Sequence, residues 1–353
     1  MTVLTDASLA QLSLAAYSDS LTGLPSGFTP LSAQELPITL GAGESFAGGV
    51  YHNQNAAAVV TEAVLDGKTS LVIAFRGSDD SLDSQSSISN INHDFPLFAN
   101  LVQAVDAAAA SGDFQQVVVT GHSLGGAYAQ LYMQAHPDQP GGLTYDAATF
   151  GSPGAILPPG GDARPTNYII ADDPGVFLGA HRAEIGEVLR ANDQLAELAA
   201  QRAAAEFPGL THDQALASLN SLTVDYENRG DIILLPTKDG QISPEADVAA
   251  LAQLDPTRHD AEVYVQELAH AAAGGPQIFI PTAPQGNEGL AFLRDVYNSD
   301  PPPADGDAAL RVLEQVLDGW AHDLGGNALA GLNDAFTTVR DDLTGIGHDL
   351  NLI

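Results

Sequence analysis

Residues 117–131 read VVVTGHSLGGAYAQL, and this stretch decides how the rest of the 353-residue chain is to be understood. Consecutive valines without polar alternation suit a strand buried on both faces, as in a parallel sheet covered by helices. The strand, residues 116–120, runs straight into Gly121-His122-Ser123-Leu124-Gly125 and then into a helical stretch, residues 124–135. Strand, sharp turn and helix is the context in which G-x-S-x-G lifts a serine hydroxyl out as a nucleophile. Gly121, Gly125, Gly126 and Ala127 are small enough to let strand and helix approach closely. The first N–H groups of the helix would face any negative charge developing at that serine.

Working outward, residues 56–65 and 69–75 read as a hairpin across Asp66-Gly67, a strong two-residue turn signal. Residues 6–17 suggest an opening amphipathic helix, with Leu9, Leu12 and Ala16 on one face and Asp6 as its cap. Residues 95–110, with Pro96 near the start and Gly112 past the end, read as another helix. Short β-rich segments follow at 145–150, 167–171 and 231–236. The Ala-, Leu- and Glu-rich stretch 182–222, with Gly209 closing one helix and Thr211 capping the next, reads as an inserted helical hairpin. Strands interleaved with helices predict an α/β fold, a mostly parallel central sheet flanked by helices with a helical insertion. Residues 1–280 are expected to form the catalytic domain. Residues 281–353 read as a loop, rich in Pro, Gly and Asp to about 307, and then a helical tail of unassigned role.

Composition narrows the partners. With 45 acidic residues against 12 basic ones the formal net charge is −33, a surface repelled by nucleic-acid phosphates and anionic headgroups. Nucleic acid is therefore excluded as an expected partner. No cysteine is present, which removes disulfides, thiolate metal sites and thiol nucleophiles. No apolar run approaches the ~18 residues needed to cross a bilayer, so stable membrane insertion is not expected. The first residues lack a cationic segment before their apolar stretch, so a signal peptide is not expected either. No H-E-x-x-H or acidic calcium loop occurs, and Asp79, Asp80 and Asp83 read as solvated loop charge, so neither metal nor cofactor is expected.

A serine hydroxyl attacks only when a base takes its proton, and that base needs a third group to fix its tautomer. Residues 117–131, preceded by IAFRGS at 73–78 and followed by ATFGSPG at 148–154, resemble the fungal-type class 3 lipases, a branch of the α/β-hydrolases. The likeness covers roughly residues 9–266. It implies a serine carboxylic-ester hydrolase of lipase or esterase type, acting on acyl esters such as acylglycerols through an acyl-enzyme on Ser123. It also implies a triad acid just beyond the strand at 167–171, which fits Asp173 before Pro174-Gly175-Val176, with its neighbour Asp172 as the rival. The family's base follows one further strand and opens a helix, which points to His259, five residues before Tyr264, with His181 as the rival. His122 is expected to point away from the reacting centre. His136 is expected to serve its helix end, and His52, His93, His212, His270, His322 and His348 are expected to be ordinary structural residues. The oxyanion would rest on the Leu124 N–H and, by resemblance, on Ser78 in the loop after an early strand.

Residues 79–98 occupy the place of a lid, with Ile88, Ile91, Phe95 and Phe98 at helical spacing. This apolar face either opens toward lipid or packs on the sheet. The lone Trp320 lies far from this loop, unlike the pattern of the family. Phospholipase, thioesterase and polyester hydrolase remain open on the same residues, as does a catalytically silent binding protein. The acidic, lysine-poor chain ending in DLNLI is similar to bacterial proteins exported by routes that read the C-terminus, which implies secretion without a signal peptide, a cytoplasmic place being the alternative.

Overall fold

The computed structural model describes residues 3–78, 90–139, 142–160, 162–180, 182–191, 193–206, 210–240, 242 and 255–281. The expectations for the tail beyond 281, for most of the lid segment, and for His181, Gly209, His322 and His348 lie outside these residues.

The strands are β1 (Thr29–Pro30), β2 (Glu44–Ala47), β3 (Val50–Asn53), β4 (Ala56–Leu65), β5 (Lys68–Phe75), β6 (Gln116–His122), β7 (Thr144–Phe150), β8 (Pro165–Ile170), β9 (Asp231–Leu235) and β10 (Ile278–Ile280). They form one mixed 10-stranded sheet in the order β10-β9-β8-β7-β6-β5-β4-β3-β2, with β1 beside β4. Strands β5 to β9 run parallel, whereas β2 to β5 and the β9–β10 pair are antiparallel. The β4–β5 hairpin closes at Leu65↔Lys68 through Asp66 at φ 48° and Gly67 at φ 80°, the two positive values that a tight hairpin turn demands.

Every residue of β6 is buried, as its unbroken apolar reading predicts. Val117 and Val119 face one core with Ile73, Phe75, Leu101 and Tyr128, and Val118 faces the other with Val72, Leu9, Leu12 and Leu268. Fully burying each valine is worth about 1.5–3 kcal/mol relative to exposure. The first core is covered by α2 (Ala99–Ala109) and α3 (Leu124–Ala135), and the second by α1 (Val3–Ala15) and α8 (Ala261–Ala272). Helices α1 and α8 also pack on each other, so the start of the described chain and the helix after His259 share one face of the sheet.

Between β8 and β9 lie α4 (Pro174–Ala180), α5 (Arg182–Ala191), α6 (Asp193–Glu206) and α7 (His212–Asn220). The inserted segment is thus three helices rather than a hairpin. Thr211 caps α7 in a reciprocal capping box with Gln214, as expected.

Two local expectations are corrected. Asp6 is not a helix cap; it lies inside the first turn of α1, buried, and accepts a hydrogen bond from the Tyr168 hydroxyl at 2.7 Å. Burial pushes its carboxyl up to about 6, the Tyr168 bond opposing. The helix expected over residues 95–110 begins as a 3₁₀ turn, Phe95–Phe98, and becomes α-helical only at Ala99. Ile91 and Phe98 are buried and Phe95 packs against them, so the described part of the lid stripe belongs to the core rather than to an opening face. Among the described residues no helix is long and apolar enough to cross a membrane.

Candidate active site

The parallel strands end on one edge of the sheet, and the turn after β6 stands at that edge. Ser123 has φ 56° and ψ −129°, a backbone conformation that side chains other than glycine rarely adopt. Holding it there costs about 1–3 kcal/mol. The Ser123 N–H donates to the Phe150 carbonyl at 2.9 Å, and its own carbonyl accepts from Gly126 N–H at 2.9 Å. A Cβ on Gly121 would meet the Gly125 carbonyl carbon at 2.2 Å, and one on Gly125 would meet the Phe75 carbonyl oxygen at 2.1 Å. Both are backbone collisions, so the bend requires glycine at each position.

The structure brings Ser123, His259 and Asp173 together from three distant parts of the chain. His259 Nε2 lies 2.7 Å from Ser123 Oγ, although the two residues are 136 positions apart. His259 Nδ1 lies 2.8 and 2.9 Å from the two carboxylate oxygens of Asp173. A carboxylate can only accept, so Nδ1 carries the proton and Nε2 presents its lone pair to the serine hydroxyl. The imidazole side chain is 25% exposed, whereas Asp173 is fully buried. Burial alone would depress the His259 pKa. The charge and hydrogen bond of Asp173, with Asp260 adding, outweigh it and raise the imidazole above its ordinary value.

Asp173 Oδ1 also accepts from the N–H groups of Gly175 at 2.7 Å and Val176 at 3.3 Å, and Oδ2 accepts from the Tyr264 hydroxyl. Tyr264 in turn accepts the Ile170 N–H at 3.1 Å, and burial followed by the Asp173 charge holds its phenol protonated. A Cβ on Gly175 would lie 2.5 Å from His259 Nδ1, so only glycine leaves room for the ring.

Asp172, the rival acid, faces elsewhere. Its Oδ1 accepts from Arg258 Nε at 2.8 Å and its Oδ2 from the Lys238 N–H at 3.1 Å. The chain turns here, the Asp173 N–H donating to the Ile170 carbonyl at 3.0 Å, and the turn sends Asp173 to the imidazole and Asp172 to Arg258.

His122 corrects a further expectation. Both of its ring nitrogens are engaged away from Ser123 Oγ, yet it is tied to the base: its Nε2 lies 2.6 Å from the His259 carbonyl oxygen, and its Nδ1 lies 2.9 Å from the Tyr17 hydroxyl. These partners assign Nε2–H as donor and Nδ1 as acceptor. Burial, and then the charge of His259, lower its pKa to about 3, so the ring stays neutral. Nothing in the sequence near the motif points to Tyr17, which is brought in by the packing of α1 beneath the sheet.

Ser78 follows β5, whose Phe75 pairs with Gly121, so it lies on the same edge as Ser123. Gly77 before it packs so closely that a Cβ would meet the Tyr17 hydroxyl at 2.0 Å and the His122 carbonyl at 2.6 Å. Arg76 anchors the loop by donating to the Ala16 carbonyl at 2.6 Å and by pairing with Asp19. Leu124 opens α3, and its N–H is among those the helical ladder leaves unused. Elsewhere, His52 pairs with Asp19 and His212 with Glu197. Asn90 lies beside His93, and His270 is exposed. Among the described residues no group of three or more His, Asp or Glu side chains is gathered as metal ligands would be.

No family model matches the chain, and no curated protein matches it. Among solved structures, a lipase from Rhizopus microsporus var. chinensis aligns at 18% identity over 48% of this chain and 67% of its own, with a TM-score of 0.28. The M37 lipase aligns at 14% identity over 77% of this chain and 97% of its own, with a TM-score of 0.36. Likenesses this distant leave the site to be read from its own geometry.

Proposed function

We propose that the protein is a serine carboxylic-ester hydrolase with an α/β-hydrolase fold, of lipase or esterase type, working through an acyl-enzyme on Ser123. One observation carries the reading: a hydroxyl held at a strained turn lies 2.7 Å from an imidazole whose other nitrogen meets a buried carboxylate. His259 takes the Ser123 proton as the oxygen attacks the acyl carbonyl. The oxyanion forms beside the N–H of Leu124 and the Ser78 loop, and losing one such donor costs on the order of 3 kcal/mol in the transition state. Collapse expels the alcohol, which leaves with the proton from His259. Water, deprotonated by the same imidazole, then releases the acid. Asp173 keeps the tautomer and stabilises the imidazolium.

The net charge of −33 favours neutral esters such as acylglycerols over anionic phospholipids. The test is hydrolysis of p-nitrophenyl esters of several chain lengths, together with covalent labelling by an alkyl phosphonate. Labelling and turnover that vanish in Ser123→Ala support the reading. A parent protein that turns over no ester, including thioesters and polyesters, and takes no label sinks it in favour of a binding role.

A further inference from the structure

We infer that Arg258, acting through Asp172, is a positioning residue for His259, an assignment that rests on His259 being the general base. The chain leaves β8 with two consecutive acids, Asp172 and Asp173, and carries two consecutive basic side chains, Arg258 and His259, in the 3₁₀ turn Pro256–His259. They pair in register: Asp173 with His259 at 2.8 Å, and Asp172 with Arg258 at 2.8 Å. The pairs are two adjacent rungs between the same two segments. The His259 rung reaches Ser123, and the Arg258 rung reaches the Pro236 carbonyl instead.

The outer rung reaches further than one contact. Arg258 Nη2 donates to the Pro236 carbonyl at 3.0 Å, and Asp172 Oδ2 accepts the Lys238 N–H at 3.1 Å, so the pair joins the exits of β8 and β9 to the turn. Glu267 of α8 lies 3.9 Å from the same guanidinium. The side chains of Arg258 and Asp172 are only 7% and 4% exposed.

A turn this short cannot hold an imidazole to the tolerance that proton transfer needs, about half an ångström. Its backbone bonds are local ones, Arg258 N–H to the Asp255 carbonyl and Asp260 N–H to the Thr257 carbonyl, and neither refers the turn to the sheet. Reference to the sheet comes from Arg258 on one side, from His122 through the His259 carbonyl on the other, and at the exposed start of the turn from Lys238 Nζ on Asp255 at 3.1 Å. Without the buried rung the turn keeps only the His122 bond and the solvent-exposed Lys238–Asp255 pair, and His259 loses its register against Asp173 and Ser123 together.

The test uses the full chain and compares Arg258→Met, Asp172→Asn and the pair variant that carries both. Read-outs are p-nitrophenyl butyrate hydrolysis across pH, thermal melting, and titration of the His259 imidazole by NMR. The pair variant removes both charges, so its effect on His259 reports position rather than a change of local charge. It is expected to melt cooperatively, to keep its KM, and to lose on the order of 100-fold in kcat. The acid limb of its rate profile and the NMR titration of His259 should fall together as the Asp173 contact loosens. The single variants should be strongly non-additive, since each breaks the same rung. The proposal is overturned by a folded pair variant with parental kcat and parental His259 titration. It is equally overturned by rate lost only in proportion to unfolded protein, or by a pair variant that does not fold, since either assigns the pair to stability. A parent inactive on every ester condemns the hydrolase reading instead, and the NMR comparison still reports on the rung.

Discussion

Two histidine–aspartate pairs sit at different ends of the same helix-flanked strands, and they differ in what is left over. His136, at the C-terminal end of α3, presents Nδ1 to the Tyr132 carbonyl at 2.7 Å and Nε2 to Asp106 at 3.1 Å, with its ring stacked on Tyr132. Both nitrogens face acceptors, so the arrangement is satisfied by the imidazolium. Burial opposes that charge, but the Asp106 and Tyr132 hydrogen bonds prevail and raise the pKa. Arg164 adds its own bonds to the Met133 and His136 carbonyls, so this region is a helix terminus closed by cations. His259 faces one acceptor and one hydroxyl, and a hydroxyl can give up its proton. An imidazole beside a carboxylate becomes a base only when its second nitrogen is spared for a donor.

The comparison breaks most visibly at the nucleophile and base. Ser123→Ala and His259→Ala are each expected to lower ester turnover by on the order of 10⁵–10⁶, whereas His136→Ala keeps the parental rate and shows its cost only in thermal melting. A comparable loss of rate in His136→Ala would erase the distinction. Next in size, Asp173→Asn should cost on the order of 10⁴ in kcat, because an amide no longer enforces the tautomer; Asp106→Asn should cost about 1 kcal/mol of stability in denaturant titration and no activity. Tyr264→Phe removes one hydrogen bond to a buried carboxylate and is expected to lower kcat roughly tenfold with KM unchanged.

The smallest expected effects are those of pH, and here the two pairs answer differently. His259 must be neutral to accept a proton, and its pKa is raised, so kcat/KM should climb as pH rises through a midpoint above that of an ordinary imidazole. His136 also has a folded pKa above its unfolded one. Its contribution to stability is complete below the unfolded value and fades as pH rises through the raised folded value. Melting curves of His136→Ala and parent should therefore converge toward alkaline pH. A gap that widens there would reverse the assignment of charge.

Local chemistry was legible and geometry at a distance was not. The serine turn could be read because strand, glycines and helix are contiguous, and the Asp66-Gly67 hairpin for the same reason. Which of Asp172 and Asp173 meets the imidazole depends on the turn that follows β8, a geometry that no composition records. Asp6 misled because an acid before an apolar periodic run reads as a cap; the partner that claims it, Tyr168, is 162 residues away. Strands β2 and β3 are four residues each around Gly48-Gly49, and β10 is a three-residue edge strand with Phe279 exposed, all too short for a periodic signal. The contacts of Tyr17, His122 and Arg258 are created only by packing.

The pairing of α1 with α8 has a consequence for synthesis. The first helix leaves the ribosome long before the segment that covers it, and at about 5–20 residues per second that wait lasts tens of seconds. Throughout it, the apolar flank of α1 lacks its final neighbour, and the Tyr17–His122 anchor has no His259 carbonyl to hold. Nascent chains released short of the His259 turn are therefore expected to turn over no ester and to be captured by chaperones, and a ribosome-release series scored for ester turnover checks this.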